Sequence, residues 1–231
     1  MSDLNTKDLR KDLRAGVLYF PGTNCEHDLI LALENVYGIK TELLWHTESF
    51  HTDHDMYFVP GGFSYGDYLR SGALAARSTS MRSLKEAAQK GRMIVGICNG
   101  FQILTEAGLL PGALIRNEKL KHICKWVDLK ASGKWKKHID KPFKLPVSHS
   151  EGNYIAPVET IKQLVDEDRI FLKYSGNVNG SAENIAGITD ETGRIIGLMP
   201  HPERALEPTK DFTYTNTAPG KYFFDALFQM I

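Results

Sequence analysis

The sequence predicts an open α/β fold: a mostly parallel sheet with helices on both faces, carrying an antiparallel extension. Three observations predict it. In the first half, short apolar runs alternate with segments of helical spacing. In the second half, strand-like runs follow one another through short links. No internal repeat or linker separates the halves, and 231 residues suit one large domain.

Residues 1–15 are hydrophilic and of mixed charge, and read as an N-terminal extension; residues 16–231 read as the domain. Gly16–Phe20 is an apolar run closed by Pro21-Gly22, the pattern of a buried strand and turn. Leu29, Leu33 and Val36 mark a helix over Asp28–Val36. Strands are expected at Glu42–Trp45, at Met56–Val59, which ends in Pro60-Gly61-Gly62, and at Met93–Ile97. Ser71–Lys90, rich in Ala, Leu, Lys and Arg with no proline, predicts a mostly helical stretch. Phe101–Ala107 predicts a helix stopped by Gly108 and Pro111. Five further strands are expected at Cys124–Leu129, Phe143–Val147, Ile170–Tyr174, Ile185–Thr189 and Arg194–Leu198. Asp190–Gly193 reads as the hairpin turn joining the last two, and Tyr222–Met230 as a closing helix.

Composition narrows the function. Lys+Arg and Asp+Glu are both 28, which argues against general nucleic-acid or anionic-membrane binding. No apolar run approaches the roughly 20 residues of a membrane span, and the polar start lacks a signal-peptide core, so a cytoplasmic protein is expected. Three scattered cysteines make no disulfide framework. The absence of C-x-x-C and H-E-x-x-H predicts no metal site, and no phosphate loop or G-x-G-x-x-G is present, so no cofactor is expected in this chain.

The most informative segment is Gly96-Ile97-Cys98-Asn99-Gly100, a G-x-C-x-G between a buried strand and a helix. This is the thiol form of the nucleophile elbow, a sharp turn needing glycine on each side. The helix N-terminus then faces the sulfur with its positive end, an arrangement that favours a nucleophilic thiolate, and the Asn99 amide is placed to donate to an oxyanion. Met199-Pro200-His201-Pro202-Glu203 follows another strand. Proline keeps the preceding residue extended, and residues i and i+2 then share a side, so His201 and Glu203 form a candidate base and its orienting carboxylate. Gly61 and Gly62 are candidates for the second oxyanion donor.

Together these pieces resemble the class I, triad-type glutamine amidotransferases. The likeness is carried further by Phe20 to Glu26, Pro60 to Gly72, Cys98 to Leu104, His149 to Asn153 and His201 to Arg204. It runs from about Gly16 to the C-terminus and singles out a branch that serves purine biosynthesis. It implies a Rossmann-like, flavodoxin-like sheet and a glutaminase reaction through a Cys98 thioester. Ammonia would pass to a large synthetase partner that binds ATP, Mg²⁺ and formylglycinamide ribonucleotide, with a small bridging subunit between them. It also implies that Gln102 and His149 lie near bound glutamine. Ser148-His149-Ser150-Glu151-Gly152 stands where that branch has Ala-His-Gly-Glu-Gly. The alternatives are another cysteine hydrolase of the same fold, or a catalytically silent regulatory scaffold.

One feature outside these motifs is a basic stretch, 116–144, with ten Lys or Arg against three acids. It reads either as solvated strand edges, where lysine blocks stray pairing, or as a docking face for an acidic partner surface. Cys25 and Cys124 read as packing residues, and His27, His46, His51, His54, His122 and His138 are given no role.

Overall fold

A computed structural model describes residues 12–207 and 218–230. The expected arm lies mostly outside them, but Arg14 and Ala15 already belong to the first strand. In chain order the strands are β1 (Arg14–Tyr19), β2 (Lys40–Trp45), β3 (Met56–Val59), β4 (Met93–Ile97), β5 (Ala113–Ile115), β6 (Ile123–Ala131), β7 (Phe143–His149), β8 (Asn153–Ile155), β9 (Ile170–Tyr174), β10 (Ile185–Thr189) and β11 (Ile195–Leu198). The helices are α1 (Glu26–Leu31), α2 (Thr79–Gln89), α3 (Asn99–Glu106), α4 (Val158–Asp166) and α5 (Gly220–Phe228).

Nine strands form one sheet in the order β2-β1-β3-β4-β11-β10-β9-β6-β7. The first five are parallel and the remaining pairings are antiparallel. Every residue of β3, β4 and β11 is buried, as expected of parallel strands covered on both faces. Asp190 closes the β10–β11 hairpin: its Oδ1 accepts from the amides of Arg194 and Ile195. That hairpin carries β11 into the parallel half, where Gly197 lies opposite Gly96 of β4.

Several boundaries differ from expectation for local reasons. The helix expected over Ser71–Lys90 begins only at Thr79, because Ser78 is extended (φ −66°, ψ 165°) and its Oγ caps the amide of Met81. Before it lies a short turn of 3-10 helix at Ala75–Arg77. Helix α1 starts two residues early and widens into a π turn over Ala32–Val36. β5 and β8 form a separate two-stranded sheet that was not expected; three residues apiece give too short a pattern to read. α4 was also missed, although Val158, Ile161, Leu164 and Val165 recur at helical spacing; of these Leu164 is fully buried and Ile161 packs against the core. The chain closes where Phe223 of α5 packs on Trp135 and Phe171, with ring centroids 5.6 and 6.2 Å away. Among the described residues, no helix is long and apolar enough to cross a membrane.

Candidate active site

The topology places four strand ends side by side. β1, β3, β4 and β11 are parallel neighbours, so the segments after them emerge at one edge of the sheet: Cys25, Gly61-Gly62, Cys98 and His201 respectively. That edge, outside the carboxyl ends of parallel strands, is where open α/β sheets build sites.

Cys98 occupies the elbow at φ 51°, ψ −106°, a conformation rare for a residue with a side chain. The turn is held by its surroundings. The Cys98 amide donates to Leu198 O of β11 at 2.7 Å, and the amides of Phe101 and Gln102 donate back to Cys98 O at 3.0 and 3.2 Å. A methyl group at Gly100 would lie 1.8 Å from Val59 O, and one at Gly96 would lie 2.7 Å from Gly100 O. Both glycines are therefore required by close backbone approach. Gly100→Ala is expected to destabilise the chain by about 3 kcal/mol, the upper range for overpacking, whereas Gly91→Ala should cost about 1 kcal/mol because only its positive φ resists. Denaturant midpoints of the two variants check this.

His201 and Glu203 are buried beside the thiol. His201 Nδ1 bonds Glu203 Oε1 at 2.6 Å, so its Nε2 is left to face the sulfur. A methyl at Gly61 would lie 2.8 Å from His201 Cε1, 3.0 Å from Cys25 Sγ and 3.4 Å from Cys98 Cβ, which shows how tightly the groups converge. Burial opposes a charged imidazole here. The Glu203 carboxylate, the Cys98 sulfur and hydrogen bonds to Cys25 and Cys98 outweigh it and raise His201 well above the ordinary histidine range. The Cys98 Sγ also lies 3.7 Å from Ser148 O, which brings the 148–152 segment to the site.

The remaining expected residues fall around this centre in different ways. Gly61 O accepts from the amides of Asn24 and Cys25, which holds the glycine pair against the first loop. The Asn99 side chain is internal: its Oδ1 accepts from Ser64 N and its Nδ2 donates to Gln102 Oε1 at 2.8 Å. Gln102 in turn donates to Glu151 O at 2.6 Å. Its side chain thus ties the elbow helix to the 148–152 segment. His149 is buried with Nδ1 bonded to Asn117 Oδ1 at 3.0 Å, and its Nε2 has no partner among the described residues. Burial, then the charges of His201 and His122, push it down to about 4, so the ring is neutral near pH 7. The two serines at 148 and 150 are both engaged by His122, through Nε2 at 3.1 Å and Nδ1 at 3.0 Å. Ser150 has no positive φ, so the position does not demand glycine.

Cys124, read as a packing residue, is exposed. Cys25, read the same way, is buried at 2% exposure, and nothing in the sequence pointed to the partner it has at the site. Its Sγ, a His201 nitrogen and a Glu203 oxygen lie within 4.8 Å of one another. These are metal-ligand atom types, which the spacing rules passed over because they come from opposite ends of the chain. Two ligands of one zinc ion sit roughly 3.3 Å apart, given bonds near 2.0 Å in a tetrahedron. At 2.6 Å, His201 and Glu203 instead share a proton.

A model of the CobB/CobQ-like glutamine amidotransferase domain matches residues 12–229. The phosphoribosylformylglycinamidine synthase subunit PurQ of Zymomonas mobilis is 52% identical over 84% of this chain and 91% of its own. The subunit of the same name from Leptospira interrogans is 46% identical over 93% of this chain and 99% of its own. A chain in the structure of PurLQS from Thermotoga maritima superposes with a TM-score of 0.80 at 39% identity, over 95% of this chain and 99% of that one. With an elbow thiol, an imidazole and a carboxylate gathered at one sheet edge, the chain belongs to the CobB/CobQ-like glutamine amidotransferase family, in the branch of the PurQ subunits.

Proposed function

We propose that Cys98, His201 and Glu203 carry the glutaminase half-reaction of phosphoribosylformylglycinamidine synthase, of which this chain is the glutamine amidotransferase subunit. The observation that carries the reading is the meeting of the strained elbow thiol with a buried, carboxylate-bound imidazole. The Cys98 sulfur attacks the carbon of the glutamine side-chain amide. The oxyanion is met by backbone amides at Asn99 and at Gly61-Gly62. His201 gives its Nε2 proton to the leaving nitrogen, and the C–N bond breaks to release ammonia and leave a γ-glutamyl thioester. Water, losing a proton to His201, then cleaves the thioester to glutamate and restores the thiol. Neutral His149, with its open Nε2, lines the glutamine side of this centre, and Gln102 shapes it through Asn99 and Glu151.

Ammonia goes to a large synthetase subunit that binds ATP and Mg²⁺ and converts formylglycinamide ribonucleotide to the amidine, with a small subunit bridging the two. Three free cysteines favour the cytosol as the place of work. The basic stretch supplies a docking face. It spans the β6–β7 hairpin at one edge of the sheet, with Lys136 and Lys137 exposed on the turn between the strands. Reversing both to glutamate should weaken assembly with the synthetase roughly tenfold or more at low salt and less at high salt, read by titration. Unchanged assembly at low salt would return the stretch to a solvated strand edge.

The test of the function is glutamate release from glutamine, measured with and without the synthetase. Partner-stimulated release, together with labelling of Cys98 by a diazoketone analogue of glutamine, is expected. Hydrolysis of other amides instead would indicate another hydrolase of this fold. No release and no labelling would indicate a silent scaffold.

A further inference from the structure

The glutaminase reaction leaves one buried nucleophilic group without a task. Cys25 follows β1, precedes α1 and holds its Sγ within 4.8 Å of a nitrogen of His201. Because Glu203 occupies His201 Nδ1, a hydrogen bond from the ring toward sulfur comes from Nε2. The position of Cys25 is not left to chance. Its amide donates to Gly61 O at 3.3 Å, and its thiol donates to Asn24 Oδ1 at 3.2 Å. With its proton directed at Asn24, the sulfur turns its lone pairs to the ring.

We infer that Cys25 is a positioning residue for His201: its neutral thiol accepts a share of the Nε2–H bond, steadying the imidazolium between two sulfurs and beside Glu203. The inference rests on His201 being the proton carrier of the glutaminase reaction. Among the described residues, few titratable or charged groups face Cys25 and His201, and from β7 His149 feels the charge of His201. His201, Glu203 and Arg204 face Cys25 from the segment after β11, Cys98 lies across Gly61 after β4, and Asn24 comes from its own loop. Arg204 is anchored by Asp28 at 2.8 Å. Burial pushes the Cys25 thiol up, with His201 acting against it, so Cys25 keeps its proton while His201 holds the mobile one. The arrangement solves a geometric problem. A ring held at Nδ1 by Glu203 and at Nε2 by Cys98 can still rock about that line, and a further bond to Cys25 limits the rocking.

The experiment compares Cys25→Ala and Cys25→Ser with the parent chain, each assembled with the synthetase, by glutaminase kinetics across pH. Losing one hydrogen bond from the imidazolium lowers its pKa, so the basic limb of kcat/KM should move down by about half a unit to one unit in Cys25→Ala. The same variant should lose roughly tenfold in kcat with KM within about twofold. Cys25→Ser, which keeps a donor and an acceptor, should return the limb and most of kcat. An unmoved limb in Cys25→Ala overturns the inference, whether kcat is kept or the loss falls in KM or the melting temperature. So does Cys25→Ser behaving like Cys25→Ala. The underlying reading is tested apart from this: if Cys98→Ala retains glutaminase activity, the triad itself fails, whatever Cys25 does.

Discussion

Cys98→Ala is expected to abolish glutamine-dependent amidine formation while ammonia-dependent formation continues at the parent rate. The loss should be complete because no second group can replace the sulfur. The Cys25 thiol directs its proton at Asn24 Oδ1. Removing the nucleophile of a covalent mechanism leaves only water and binding, a fall of roughly 10³-fold or more in kcat. The fold should persist, since Cys98 contributes one small side chain and the elbow is held by backbone bonds to Leu198, Phe101 and Gln102. Rates with glutamine and with ammonium salts, measured on the assembled complex, decide it. If glutamine still supports synthesis, the thioester route is wrong. If ammonia also fails, the variant has damaged assembly rather than chemistry.

Glu203→Gln is the second large effect, and its mechanism is different. The carboxylate accepts from His201 Nδ1 at 2.6 Å in a buried setting and is the main favourable influence on the imidazolium. An amide of the same shape keeps a hydrogen bond but no charge, and it can equally donate to Nδ1. Donation would put the proton on Nε2 in the neutral ring and disable the base. A fall of about 10³–10⁴ in kcat with a modest change in KM is expected by analogy with carboxylate-to-amide changes in triads. The variant also carries a pH signature. His201 is raised in the folded state above its unfolded value, so its contribution to stability is full below about pH 6.5 and is lost as pH rises through the raised value. Glu203→Gln should remove that contribution, so the parent chain's advantage in denaturant midpoint should be largest at low pH and shrink toward alkaline pH. A variant with the parent's pH dependence would show that Glu203 does not stabilise the charged ring.

The chemistry-bearing residues were legible in the sequence because each sits in a pattern with a local cause. Gly96 is demanded by backbone contact with Gly100 within its own strand–turn–helix unit, whereas Gly100 is demanded by Val59 O of the neighbouring strand β3. His201 and Glu203 meet as expected but not through an extended run: Pro202 opens a 3-10 turn, Pro202–Arg204, directly after His201, and this turn brings the carboxylate back to the ring. The alternation that predicted parallel strands is likewise local, as is the Asp190–Gly193 turn. Elements with weak or competing local signals were read less well. Ser78 interrupts what composition alone marked as continuous helix, and β5 and β8 are held by pairing with each other and by Tyr154 stacking on Phe101.

By itself, the sequence determined the α/β class, the elbow nucleophile, the His-x-Glu pair and membership of a glutaminase family. Only the tertiary structure decided that β11, still paired with β10, lies parallel to β4 on its other side, setting His201 beside Cys98, and that the loop after β1 brings a second thiol near the same ring. The reason is physical. Turn strain, proline restriction and hydrophobic period act over a few residues and leave their mark in neighbouring letters. Which distant strands pair is settled by burial of whole faces and by backbone bonds common to all residue types, and it leaves no comparable local mark.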